Sequence, residues 1–134
     1  MGTPESITYS DSASTVTSAV PAFSKRGDLI IADEAIHHAL ATGIALSRSK
    51  VIWYKHNDMS DLRSKLQQVK ADDKKRDLSL LQRRFIVTEG IFRDVGDIAP
   101  LPELAKMKEE YVCTPLYFVL GVTFAWRPSF VACD

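Results

Sequence analysis

The chain has 134 residues, 46% hydrophobic and 25% charged, the balance of a soluble globular chain with one core and one domain at most. Lys+Arg and Asp+Glu both number 17, so no net field draws it to nucleic acid or to an anionic membrane surface. Two cysteines, Cys113 and Cys133, suit a reduced compartment better than a disulfide framework, and the polar start MGTPESITYSDS lacks the apolar stretch of a secretory signal.

In chain order, Gly2 and Ser6 fit the short N-myristoylation pattern, and the stretch Ser6–Ser18 is rich in Ser and Thr. Lys25-Arg26-Gly27 signals a turn, after which the apolar run Asp28–Asp33 predicts a short buried strand. From Glu34 the period changes. Ile36, Leu40 and Ile44, flanked by Ala39 and Gly43, predict a helix of about three turns. Lys50–Tyr54 (KVIWY) is β-branched and aromatic and predicts the next strand. Asn57 or Asp58 can cap the helix that follows, with Asp61 in its first turn and Met59, Leu62, Leu66 and Val69 along one buried stripe. Ala71–Asp77 (ADDKKRD) reads as a solvated helix end and loop. Arg84–Glu89 predicts a third strand, ended by Gly90, and Arg93–Gly96 a loop. Pro100-Leu101-Pro102 opens a helix to about Tyr111, its inner face carried by Leu104, Met107 or Lys108, and Tyr111. Alternating strands and helices with short connections imply parallel strands and right-handed crossovers, hence a layered α/β fold.

Few residues announce chemistry. No Ser/His/Asp triad, phosphate-binding glycine loop or metal-ligand cluster is present, so neither a catalytic nor a metal site is assigned. His37 and His38 are adjacent, and on a helix they would point about 100° apart, too far to chelate one metal. His56 fits a role in packing or capping a turn. Glu89 ends a strand at the carboxyl edge, where ligands of open α/β sheets bind, and suits either a substrate contact or a buried structural carboxylate.

Three segments in order, KVIWYKHNDMSD (50–61), RRFIVTEG (83–90) and PLPELAKMKEEY (100–111), resemble the 2-oxoamine synthases, the branch of fold-type-I pyridoxal-phosphate (PLP) enzymes that joins an amino acid to an acyl-CoA. Tyr9-Ser10 and Ser18–Asp28 extend the resemblance, which runs from about Ile7 to Tyr111 and is closest to subunit 1 of serine palmitoyltransferase. It implies a partial three-layer α/β/α large domain with a mostly parallel sheet over residues 1–111, and a divergent tail of unknown structure over 112–134. The activity it implies is condensation of L-serine with palmitoyl-CoA, releasing CoA and CO2, to give 3-ketosphinganine. Subunit 1 of that enzyme lacks the PLP lysine and supports a catalytic subunit across a heterodimer interface. The implied setting is the cytosolic face of the endoplasmic reticulum, with membrane association only through the full complex. A second reading is a fragment of a catalytic 2-oxoamine synthase whose lysine-bearing half is missing.

The same resemblance bears on single residues. His37 stands where PLP-binding members stack a histidine on the pyridine ring; in subunit 1 proteins the position serves no active cofactor, which favours a scaffold or interface role. Asp11-Ser12-Ala13 replaces an aromatic, glycine-containing turn that helps hold the cofactor phosphate, so an acid stands where that phosphate would sit. After Tyr111 the family continues into a strand ending in an acid that pairs with the pyridine nitrogen; here no acid follows until Asp134. Lys50, Lys55 and Lys65 lie in the wrong segments to carry PLP. The expectation is therefore a chain that does not bind PLP alone, with a sheet cut after its third strand and open at that edge.

Overall fold

Leu29–Asp33 (β1) is buried at all five positions, because it lies inside a parallel sheet covered on both faces. The computed structural model describes residues 9–76, 83–111, 114–119 and 122–125; the Gly2/Ser6 pattern and the segment 126–134 lie outside them. The sheet runs in the order β2 (Lys50–Tyr54), β1, β3 (Arg84–Glu89), β4 (Thr114–Val119) and β5 (Val122–Ala125). The first four strands are parallel, and β5 returns antiparallel to β4. Two neighbours flank β1, whereas β2 is an edge strand and leaves Trp53 45% exposed.

The edge of β3 is not open. β4 covers it, pairing Phe85–Glu89 with Thr114–Phe118, within the segment that the sequence leaves as a tail. Pro115 is tolerated at the second position of β4. It is in register with Ile86 of β3, while pairing with β5 begins only at Leu116, so the missing N–H lies at a strand start.

Four helices cover the sheet: α1 (Ser12–Phe23), α2 (His38–Ser47), α3 (Met59–Arg76) and α4 (Leu101–Tyr111). Right-handed crossovers place α2 on one face and α3 and α4 on the other. α1 packs on α2, and α3 on α4, which completes the three layers expected from the sequence. The predicted inner faces are buried at Leu62, Leu66 and Val69 on α3, where Met59 is only half-buried, and at Leu104, Met107, Lys108 and Tyr111 on α4.

α2 starts later than its apolar spacing suggests. His37 is the N-cap, so Glu34, Ala35 and Ile36 form a turn instead of a first helical turn. The reason lies in the strand ends. Asp33 accepts the Ala35 N–H (2.8 Å) and Glu89 accepts the His37 N–H (2.7 Å), which holds these amides outside the helical ladder. α1 and α2 approach closely at Gly43, where an added Cβ would lie 2.7 Å from the Val16 carbonyl oxygen.

Alanine is the better helix former by about 1 kcal/mol, so Gly43→Ala would stabilise a free helix. Here the clash outweighs that gain. The expected result is a loss of about 1–3 kcal/mol in denaturant unfolding, while the exposed Thr42→Ala on the same helix stays within about 0.5 kcal/mol of the parent.

Candidate functional site

The carboxyl edge of the sheet collects the chain's histidines and two buried acids, Asp33 and Glu89. α1 ends and α2 begins on opposite sides of β1 in sequence, so both helices direct their N-termini toward this edge. Such an edge, with two helix N-termini, is the usual anion and ligand site of open α/β sheets. In this chain several of its donors, the Ser14, His37 and Ala39 amides among them, already have partners from within.

At α1, Asp11 is the N-cap. Its carboxylate accepts the Ser14 N–H at 2.7 Å, the Ser14 hydroxyl at 2.7 Å and the Ser10 hydroxyl at 3.0 Å. The Ser14 N–H, then the two hydroxyls, hold the Asp11 carboxyl below its usual pKa, so it is an anion throughout the neutral range. At α2, the His37 ring caps its own helix: Nδ1 accepts the Ala39 N–H at 3.3 Å, and the ring sits 4.0 Å from that of His38, tilted by 50°. Because His37 is a cap and not a helical residue, the 100° separation expected of two helical histidines does not apply. Among the described residues no group of three or more His, Cys, Asp or Glu could hold a metal ion.

Glu89 is buried, 6% exposed, and its two oxygens are spent on backbone amides. Oε1 accepts the His37 N–H at 2.7 Å, and Oε2 accepts the Arg93 N–H at 3.1 Å. Of the residues singled out from the sequence, then, the structure unites His37 and Glu89, with the carboxylate holding the backbone that presents the ring.

His56 belongs to a separate cluster on the same edge. Its Nδ1 lies 3.0 Å from Oδ1 of Asp33, its Nε2 lies 3.2 Å from Oδ2 of Asp97, and the ring packs edge-on against buried Phe92 at 4.4 Å. Asp33 is fully buried and also accepts the Ala35 and Asn57 N–H groups. Burial pulls the His56 pKa down, but the hydrogen bonds from Asp33 and Asp97 outweigh it and raise the value above 6.5. Sequence reading did not single out Asp33 or Asp97. The available signal was Asp33 itself, an acid closing an otherwise apolar buried run, since a buried charge requires partners.

The model of the family described as aminotransferase class I and II matches residues 1–118, past the point where the recognisable motifs end. The chain belongs to that family. Among curated relatives it is 46% identical to long chain base biosynthesis protein 1b of Oryza sativa subsp. japonica over 111 residues, which is 83% of this chain and 22% of that protein. It is 42% identical to serine palmitoyltransferase 1 of Dictyostelium discoideum, over the same shares of each. The chain thus spans about a fifth of the length of these relatives. Among solved structures, a serine palmitoyltransferase from S. paucimobilis with a bound PLP–myriocin aldimine superposes with a TM-score of 0.74, at 22% identity, over 87% of this chain and 27% of that one. The aminotransferase fold is therefore present, and the likeness to subunit 1 proteins read from the motifs stands in their names.

The fit of a PLP phosphate can be tested at α1, where the resemblance would seat it. The Asp11 carboxylate already takes the Ser14 N–H and hydroxyl at that N-terminus and carries the same sign of charge as a phosphate. A carboxylate in that place opposes a phosphate group by like charge.

Glu89→Gln should report the structural use of this carboxylate. An amide offers one acceptor oxygen where two N–H groups need one each, so either the His37 or the Arg93 amide is left bare. The expected cost is about 1–3 kcal/mol, with faster hydrogen exchange at one of those two amides; unchanged stability and exchange would remove Glu89 from this role.

Proposed function

We propose that this chain is a subunit-1-like, non-catalytic part of serine palmitoyltransferase, which condenses L-serine with palmitoyl-CoA in sphingolipid synthesis. Its role is to support a catalytic subunit in a heterodimer, at the cytosolic face of the endoplasmic reticulum and through the assembled complex. No helix among the described residues is long and apolar enough to cross a membrane, which accords with attachment through other parts of that assembly.

The observation that carries this reading is the engagement of both helix starts at the carboxyl edge by Asp11, Glu89 and the His37 ring. Asp11 fills the helix N-terminus that would take the cofactor phosphate. β4 follows α4 as the family's acid-bearing strand does, but it reads Thr-Pro-Leu-Tyr-Phe-Val and supplies no carboxylate for the pyridine nitrogen. An electron-sink cofactor held without that partner would be poorly activated. His37, engaged as the α2 cap, serves the scaffold: its ring fixes the end of a helix, and truncating it is expected to weaken assembly first.

The test is coexpression with a catalytic serine palmitoyltransferase subunit, followed by affinity capture and a visible spectrum after dialysis. The catalytic subunit should capture the chain, and PLP absorbance should track the catalytic subunit alone. In the same assay His37→Ala should reduce capture by about fivefold or more, the equivalent of about 1 kcal/mol, with absorbance per catalytic subunit unchanged. A stoichiometric PLP band on this chain alone, lost on mutating one of its lysines, would instead favour a catalytic synthase.

A further inference from the structure

We propose that His56 is a proton-operated fastener that ties the β3–α4 loop to the end of β1, and that loss of its proton releases the loop. The geometry demands the charged ring. Both imidazole nitrogens face carboxylate oxygens, Nδ1 toward Asp33 at 3.0 Å and Nε2 toward Asp97 at 3.2 Å. A neutral imidazole has one N–H and one lone pair, so it can serve only one of two acceptors; the imidazolium serves both.

The two carboxylates are unequal, and this decides which bond breaks. Asp33 is fully buried and anchored by two backbone amides, whereas the Asp97 side chain is 58% exposed. On deprotonation the remaining N–H stays on Nδ1, facing the carboxylate that has no access to water. The Nε2 lone pair then faces Asp97 across 3.2 Å, and the exposed carboxylate turns to solvent.

Asp97 closes a defined unit. Its carbonyl accepts the Phe92 N–H at 2.8 Å, the Phe92 carbonyl accepts the Gly96 N–H at 2.8 Å, and Ile91 bridges to Ile98. This loop exposes Ile91, Val95 and Ile98, and its Arg93 amide holds one oxygen of Glu89. The charged groups facing His56 among the described residues are Asp33 from β1, Asp97 from the loop, and Glu34, whose carboxylate accepts the His56 backbone N–H at 3.3 Å. All three are acids, and none competes for the proton as a cation would.

The sign follows from the raised pKa. A histidine whose folded value exceeds its unfolded value contributes fully below about pH 6.5, and the contribution fades as pH rises through the folded value. The fastening is thus tightest in mild acid and weakest in alkali.

The experiment is NMR on the full chain between about pH 5.5 and pH 9, reading the His56 ring resonances and the exchange protection factors of the Phe92 and Gly96 amides. The expected result is a His56 midpoint above 6.5, with protection of both amides lost along the same curve. Asp97→Asn, an exposed position that should leave folding intact, supplies the control. Its side-chain NH2 can donate to a bare Nε2 and its oxygen can accept from a protonated one, so the loop should stay protected at every pH while the His56 midpoint moves down. Asp97→Ala should lose protection even in mild acid. A His56 midpoint at or below 6.5, or equal pH dependence of protection in parent and Asp97→Asn, would overturn the proposal. Neither outcome touches the subunit-1 reading, which rests on capture by a catalytic subunit.

Discussion

Two buried carboxylates at the carboxyl ends of adjacent parallel strands determine how this edge of the sheet is built. Asp33 closes β1 at 0% exposure and Glu89 closes β3 at 6%. A carboxylate taken out of water at such cost must gather donors. Between them they take the amides of Ala35, His37, Asn57 and Arg93 and the ring of His56. Those donors come from the loops after β1, β2 and β3, so the course of all three loops depends on satisfying two side chains. Asn57, in the left-handed region at φ 51°, is held there in part by its N–H to Asp33.

The arrangement consumes within the chain the polar groups that an open α/β sheet ordinarily offers to a ligand. Backbone amides that would line a pocket instead point at Asp33 and Glu89, and the α1 N-terminus points at Asp11. The opposite edge has its own fastening, where Arg83 grips Asp28 through two hydrogen bonds and the Lys25 amide joins the same carboxylate. The sheet is thereby secured at both ends by groups of this chain.

Much of the fold was legible because local patterns and tertiary needs agree. β2 and β3 occupy Lys50–Tyr54 and Arg84–Glu89 as read, since β-branched and aromatic runs there end at turn residues. The stripes of α3 and α4 face inward because their spacing leaves one apolar side each. The misreadings have long-range causes. Glu34-Ala35-Ile36 would extend α2 on periodicity alone, but Glu89 draws off the His37 amide from 52 residues away. β4 lies beyond Tyr111, where the recognisable motifs end, and it is placed by its register with β3 and β5, which no local pattern carries. His56 reads correctly as a turn residue, yet its partner Asp97 lies 41 positions distant and no local pattern connects them. Asp11 reads from the sequence only as an acid standing where a phosphate would sit, and the structure adds that it caps α1, a helix that no apolar spacing announces.

The hold of Asp11, Glu89 and the His37 ring on the helix starts at this edge is tested most directly by titrating the chain with PLP while following backbone amide shifts. The amides to watch are Ser14 at α1 and His37 and Ala39 at α2, whose hydrogens already point at Asp11, Glu89 and the His37 ring. The account predicts that these three stay in place through saturation of any nonspecific binding, in the parent chain and in Asp11→Asn alike at α2. Saturable shifts centred on Ser14 and His37 in the parent chain would contradict it and restore this edge as a cofactor site.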